Sequence, residues 1–215
     1  GELLVRLDAF CNDADAQRVA HLDDRRDDLA VVLAVADVLD EAAVGRAATG
    51  CDAVIHGAGF VSRDARDAEA LYRIHVEGTR CVLRATRAVG VRRFIHVSSS
   101  GTVAVRARGD RVTNEDGPAP TECILRWPYY RAKLFAEREA LAANTEDFAV
   151  TAVLPSLLLG PGDLRGSSTE DVRNFLERKV VAIPPGGLSF VDVRDAALAT
   201  LSAIDRGRPG ARYLL

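Results

Sequence analysis

Short apolar runs alternate along the chain with longer stretches in which apolar residues recur at helical spacing. The runs are rich in Val, Ile, Leu and Ala and too short for helices, which favours buried strands. This alternation is typical of parallel βαβ units. The predicted strands cover 18–22, 30–36, 53–56, 94–98, 148–154 and 188–191, and the predicted helices cover 41–48, 68–88, 129–143, 170–178 and 194–204.

The apolar runs are continuous and lack the strict alternation of a sheet with one face in water. Helices should therefore cover both faces, which predicts an α/β fold with a doubly wound, mainly parallel sheet. Ligands of such folds bind at the carboxyl ends of the strands, so the residues directly after each strand are the first site candidates. The polar, turn-rich stretch 106–122 is predicted to be a surface loop.

Composition narrows the class of protein. With 215 residues, 48% of them hydrophobic, the chain can bury the core of one large domain. Its net charge of -3 comes from acidic and basic residues mixed along the chain, without the basic stripe of a nucleic-acid-binding protein. No apolar run approaches the roughly 20 residues of a membrane span, so we expect a cytoplasmic protein. The four cysteines form no C-x-x-C pair, which argues against a zinc site.

The two ends of the sequence suggest a fragment. The chain has no Met, begins at Gly1 within a predicted amphipathic helix and ends at Leu215 on a predicted strand. We expect truncation at the N-terminus and at the C-terminus. The alternative is a processed start in a protein that happens to lack Met.

The strongest candidate for chemistry is Tyr129-x-x-x-Lys133 at the start of a predicted helix. Residues four apart share one helix face, and an ammonium beside a phenol should lower the pKa of the phenol. Tyr129 could then move a proton to or from a carbonyl oxygen. The same spacing could also belong to an ordinary exposed Tyr and Lys.

The second candidate is a predicted buried strand that ends abruptly in three serines, at positions 98–100, followed by Gly101. A hydroxyl at the carboxyl end of a parallel strand can hydrogen-bond a substrate oxygen on which charge develops. Ordinary turn chemistry could also explain these residues.

Together these features resemble the extended short-chain dehydrogenase/reductase (NAD-dependent epimerase/dehydratase) superfamily, in particular its dihydroflavonol-reductase-like and 3β-hydroxysteroid-dehydrogenase-like branch. Stretches 36–40, 56–59, 76–79 and 154–162 follow in family order. The resemblance implies one incomplete NAD(P)-binding Rossmann-type domain over 1–215, with about 157–190 at the edge of a substrate-binding region. It implies catalytic roles for Ser99, Tyr129 and Lys133. The residues it places at the cofactor are Gly1, Asp23, Asp37, Val38, Gly57, Ala58, Gly59, His75, Tyr129, Lys133, Pro155 and Ser156.

Departures from the family pattern concern the cofactor. The first strand and its glycine-rich phosphate loop are missing, and Gly1 is either the last glycine of that loop or a cloning remnant. A domain without that loop should bind the dinucleotide weakly. His75 stands where the family usually has Asn. Asp23 and Asp24 suit the free ribose hydroxyls of NAD, while the two arginines that follow could pair the 2′-phosphate of NADP; we favour NAD.

The favoured function is an NAD(P)-dependent alcohol/carbonyl oxidoreductase acting on a small organic molecule. Family dehydratases carry an Asp-Glu pair at positions 100–101, and epimerases carry Tyr-Gly at 104–105; this chain has neither. The alternatives are a nucleotide-sugar epimerase and a non-catalytic, redox-sensing dinucleotide-binding module, which would not need the Tyr, Lys and Ser together. The expected partner is a small-molecule substrate, and a homodimer is an option that the sequence leaves open.

Overall fold

The computed structural model describes residues 36–107, 113–163, 166, 168–182 and 186–215. The strands are β1 (Ala53–His56), β2 (Arg93–Val97), β3 (Ala149–Leu154), β4 (Leu157–Leu159), β5 (Phe190–Asp192) and β6 (Arg212–Leu214). The α-helices are α1 (Glu41–Ala48), α2 (Ala68–Tyr72), α3 (Gly78–Ala88), α4 (Thr121–Ile124), α5 (Pro128–Ala142), α6 (Thr169–Leu176) and α7 (Val193–Arg206); a π-helical turn (Arg73–Glu77) joins α2 to α3.

The main sheet has the order β1-β2-β3-β6, and each pair of neighbours is parallel. Val54 lies beside Phe94, and Phe94 beside Val150. Because the strands are parallel, their carboxyl ends meet at one edge of the sheet. β4 and β5 form a separate two-stranded parallel sheet.

Helices cover both faces of the main sheet. On one face, Val54, Phe94 and Val150 pack with buried residues of α1, α3 and α5. Ile95 and Val153 point the other way, as alternation along a strand requires, and pack with Ala203 of α7. The predicted doubly wound α/β fold is therefore confirmed.

Local sequence signals explain where several helices begin and end. The Asp40 carboxylate accepts a hydrogen bond from Ala43 N at 3.0 Å and caps α1. Asp192 caps α7 in the same way, through Arg194 N at 2.8 Å. Pro128 occupies the first turn of α5, where its missing N–H costs nothing. Gly90 follows α3 with φ of 86°, in the left-handed conformation that ends many helices.

Most predicted elements are confirmed, with small shifts at their ends. The predicted boundaries of α1 and β1 are correct, whereas the single helix predicted over 68–88 is interrupted by the π-helical turn. β4 was not predicted, and the strand predicted at 188–191 is Phe190–Asp192, outside the main sheet. The predicted loop at 106–122 overlaps the start of α4. The strands predicted at 18–22 and 30–36 lie outside the described residues, and none of the described helices is long and apolar enough to cross a membrane.

Candidate active site

Helix α5 brings a lysine beneath the serine-rich turn. Lys133 is only 6% exposed, and its Nζ donates a hydrogen bond to the carbonyl of Val97 at 2.8 Å. Val97 is the last residue of β2 and directly precedes the serines. Burial lowers the pKa of Lys133 to about 8, an effect that the nearby Glu137 carboxylate opposes.

Tyr129 lies one helical turn before Lys133 and is packed between two rings. Its ring meets His75 edge-on at 5.7 Å between centroids and meets Tyr130 at 5.4 Å. Burial, with a smaller contribution from Tyr130, raises the pKa of Tyr129 to about 12. The expected lowering of this pKa is wrong for this structure, because burial dominates and the Lys133 ammonium is directed at the Val97 carbonyl. At neutral pH Tyr129 is a protonated phenol, suited to give up a proton.

The three serines after β2 have different surroundings. Ser98 is buried, and its hydroxyl donates to the carboxylate of Glu137. Ser99 caps the short 3-10 turn Ser100–Thr102, and its Oγ accepts a hydrogen bond from Gly101 N at 3.1 Å. That bond uses a lone pair of the Ser99 oxygen, so its O–H can still donate to a substrate oxygen. Ser99 therefore fits the predicted role better than Ser98.

The serine turn is tied to the neighbouring strand and to α5. Ser100 N donates to the Pro155 carbonyl at 2.8 Å, which joins the ends of β2 and β3. At Gly101, a Cβ atom would overlap the ring of Tyr130. The turn and the helix start thus pack without room for one extra carbon atom.

His75 supports the small-residue turn after β1. Its Nε2 lies 2.8 Å from the Phe60 carbonyl oxygen and 3.3 Å from Phe60 N, so the shorter contact favours a ring proton on Nε2. A Cβ atom at position 59 would lie 2.7 Å from the His75 ring, which explains Gly59. His75 is 3% exposed and sits in the π-helical turn, a kind of distortion found frequently at functional sites.

The remaining residues predicted to bind the cofactor differ in the atoms that they can present to it. Asp37 is exposed and accepts a hydrogen bond from Leu39 N at 2.9 Å, whereas Val38 is fully buried, so only its backbone could face a ligand. Gly57 is exposed after β1. Ser156 uses both its N–H and its hydroxyl on the Leu215 carbonyl. Gly1 and Asp23 lie outside the described residues, and among the described ones no cluster of three or more His, Cys, Asp or Glu side chains could hold a metal ion.

Comparison with known proteins identifies the family. A family model described as "NAD dependent epimerase/dehydratase family" matches residues 3–215. The chain belongs to this family. A provisionally named dihydroflavonol 4-reductase from Synechocystis sp. is 36% identical over 171 residues, which are 77% of this chain and 49% of that protein. Cinnamoyl-CoA reductase 1 from Oryza sativa subsp. japonica is 33% identical over 208 residues, 94% of this chain and 60% of that protein.

A solved structure shows the same fold. A double mutant of DesIV, a dTDP-glucose 4,6-dehydratase from Streptomyces venezuelae crystallised with NAD, aligns with a TM-score of 0.76 at 22% identity, covering 99% of this chain and 66% of that chain. The predicted membership of the NAD-dependent epimerase/dehydratase family and the Rossmann-type fold are thus confirmed. The chain spans 49% to 60% of the length of the two reductase relatives.

At the carboxyl edge of the sheet, Lys133 contacts the last residue of β2, and Tyr129 packs against His75. Ser99 follows β2, and its turn is bonded to the Pro155 carbonyl through Ser100 N. Sequence reasoning missed Glu137, which lies under this site. The signal was its position four residues after Lys133, on the same helix face as Tyr129 and Lys133. A glutamate in a helix is normally exposed, so the spacing alone did not single it out.

Proposed function

We propose that the protein is an NAD(P)-dependent oxidoreductase that interconverts an alcohol and a carbonyl on a small organic substrate by hydride transfer. The observation that carries the proposal is the buried Lys133 ammonium, which donates to the Val97 carbonyl directly before the serine turn. Tyr129 lies one turn earlier on the same helix. A module that only binds a dinucleotide has no need for this set of proton-bearing groups.

The residues after the strands fit a nicotinamide dinucleotide. Gly57 and Gly59 are exposed and carry no side chain, so a ring or a diphosphate can approach their backbone closely. The second oxygen of the Asp37 carboxylate can accept a hydrogen bond from an adenine amine. Pro155, buried at the end of β3, offers a backbone surface to the nicotinamide. When bound, the reduced cofactor supplies the hydride, and we favour NAD over NADP.

In the reductive direction, the chain's own groups handle the proton. Tyr129 has its pKa raised to about 12 and therefore holds its proton until negative charge develops on the substrate oxygen. Ser99 donates a second hydrogen bond to the same oxygen. The Lys133 ammonium, which is mostly charged at neutral pH because its pKa is about 8, lies one helical turn from Tyr129 and supplies positive charge to the centre in which the phenolate forms.

The test compares Tyr129→Phe with Tyr130→Phe in the full-length protein. Oxidation of NADH and NADPH is followed with dihydroflavonols and cinnamoyl-CoA, chosen from the names of the two relatives, and with simple aldehydes and ketones. Tyr129→Phe should lower kcat roughly 10²- to 10⁴-fold, the usual contribution of a general acid, with little change in cofactor affinity. Tyr130→Phe is the matched control and should retain most of the activity.

Two outcomes would contradict the proposal. If Tyr130→Phe inactivates the enzyme and Tyr129→Phe does not, the proton donor is misassigned. If nucleotide sugars are epimerised without net consumption of reduced cofactor, the reaction class is epimerisation.

A further inference from the structure

The carboxylate of Glu137 is buried directly below the proposed reaction centre. The residue lies on α5 one turn after Lys133, and it is 2% exposed. Burying a carboxylate is unfavourable unless it is well hydrogen-bonded and paired with opposite charge. Its partners therefore indicate what the burial achieves.

One oxygen of Glu137 holds both ends of the serine turn. Oε2 accepts a hydrogen bond from the Ser98 hydroxyl and lies 2.7 Å from the Thr102 hydroxyl, whose one proton can go either to Oε2 or to the Ser99 carbonyl at 2.9 Å. Ser98 and Thr102 flank the segment that contains Ser99. The backbone that aims the Ser99 hydroxyl is thus fastened on each side to the helix that carries Tyr129 and Lys133.

The second oxygen of Glu137 connects the turn to the rest of the sheet edge. Oε1 lies 3.4 Å from Nη1 of Arg212, a residue of β6. Arg212 also donates through Nη2 to the backbone carbonyls of Gly117, at 3.1 Å, and Glu115. The loop before α4 is therefore held by the same network.

We propose that Glu137 is a positioning residue, which fixes the Ser99 hydroxyl relative to Tyr129 and Lys133 by holding Ser98 and Thr102. The inference rests on the proposed function, because it concerns the geometry of that reaction. Glu137 acts through Ser99 and through the ammonium of Lys133, without touching the substrate.

The charge of Glu137 gives the role a second signature. The carboxylate opposes the lowering of the Lys133 pKa by burial, so replacing it with a neutral amide should lower that pKa further. The pKa values of the three histidines around Lys133 lie far below neutral and that of Tyr129 lies near 12, so in the neutral to mildly alkaline range Lys133 is the group of this set that titrates. These neighbours are His56 on β1, His96 on β2, His75 in the π-helical turn and Tyr129 on α5.

The experiment uses the full-length enzyme and the carbonyl substrate with the highest turnover in the panel above. Glu137→Gln should lower kcat on the order of 10- to 100-fold, the rate equivalent of hydrogen bonds to a charged acceptor, with a much smaller change in KM for the cofactor. The alkaline limb of its kcat profile should move to lower pH. Thr102→Val keeps the charge and removes one tether, so it should lower kcat about fivefold without moving that limb.

A double-mutant cycle separates positioning from simple destabilisation. If Thr102 acts through Ser99, Thr102→Val should change kcat less than about twofold in a Ser99→Ala background. An equal loss in both backgrounds would overturn the inference, as would a Glu137→Gln enzyme with unchanged kcat and pH profile. If Glu137→Gln fails to fold, the Thr102 cycle decides.

The outcome also separates this inference from the proposed function. Loss of activity in Tyr129→Phe together with an additive Thr102 cycle removes the positioning role alone. Full activity in Tyr129→Phe removes the proposed chemistry, and the role of Glu137 in it.

Discussion

Three buried histidines should make this fold sensitive to mild acid. His56 and His96 face each other across β1 and β2, with ring centroids 5.6 Å apart and exposures of 3% and 2%. Among the described residues, Nδ1 of His56 and both ring nitrogens of His96 have no hydrogen-bond partner. His75, in the π-helical turn, is equally buried. Protonating any of them would place a second positive charge near the Lys133 ammonium.

The sign of the effect follows from the direction of the pKa shifts. Burial, and then the charge of Lys133, lowers the pKa of His56 and of His75 to about 3. Burial, and then the neighbouring His56, lowers the pKa of His96 well below its usual value. The unfolded chain binds a proton at each histidine below about pH 6.5, while the folded protein does not. Stability is therefore fully present above that pH and is lost as the pH falls below it.

The magnitude is large for a domain of this size. Below about pH 6.5, each histidine that stays neutral in the folded protein lowers the free energy of unfolding by about 1.4 kcal/mol per pH unit. At about pH 5, each therefore lowers it by about 2 kcal/mol. His56 and His75 together cost about 4 kcal/mol, and His96 acts in the same direction. Typical domains are stable by only about 5–15 kcal/mol. The carboxylate of Asp192, whose pKa is lowered to about 2, acts only at lower pH.

The assay is urea unfolding, followed by far-UV circular dichroism, at about pH 8, 6.5 and 5 for the wild type and for His96→Leu. Leucine has a similar volume and no nitrogen to protonate or to leave unpaired. The slope of the unfolding free energy against pH, below about pH 6.5, should be smaller in the variant by about 1.4 kcal/mol per pH unit. Equal slopes in the two proteins would refute the reasoning, because they would mean that His96 is already protonated in the folded state or is exposed to water.

Two further predictions concern packing. Gly101→Ala should destabilise the protein by about 1–3 kcal/mol in thermal unfolding and lower kcat, because the new methyl group overlaps the ring of Tyr130. Gly45 lies inside α1, and a Cβ there would meet Val89 at an ordinary 3.8 Å. Gly45→Ala should therefore be neutral or stabilising by up to about 1 kcal/mol. Phe94→Ala should lower the free energy of unfolding in urea by about 3–5 kcal/mol, since Phe94 is 0% exposed in the core cluster beneath α1, α3 and α5. Phe190→Ala, at 69% exposure, should change it by less than about 0.5 kcal/mol. Similar losses for the two alanine variants of either pair would contradict the packing described here.

Periodicity was sufficient to predict most of the fold, because buried strands and amphipathic helices leave different patterns. It could not predict the π-helical turn, since one extra residue in a turn hardly changes the pattern of apolar positions over 68–88. The three-residue strand β4 was not predicted, because Leu157–Leu159 follows Pro155 so closely that in the sequence it resembles the end of β3. Short strands depend on a partner, and β5 lies more than twenty residues further along the chain.

The candidate site shows the same division between local and tertiary information. The spacing of Tyr129 and Lys133 was visible in the sequence, but the direction of the Tyr129 pKa shift was not. That shift depends on how deeply the phenol is packed between His75 and Tyr130, and on the lysine being directed at the Val97 carbonyl. Glu137 was hidden for a related reason, because its partners Ser98 and Arg212 are brought to it by two different strands.

Burial at this site favours one direction of the proposed reaction. It raises the pKa of Tyr129 and lowers that of Lys133, yet at neutral pH both groups still keep their protons, since their pKa values are about 12 and about 8. The centre is then a neutral acid beside a cation, which suits protonation of an oxygen that is gaining negative charge. Alcohol oxidation would need the reverse, a phenolate, which becomes accessible only if a bound positive charge brings the Tyr129 pKa down. The ratio of reductive to oxidative kcat, each measured at saturating substrate and cofactor, should therefore fall as the pH rises, and a kcat ratio that is independent of pH would argue that Tyr129 is not the group that transfers the proton.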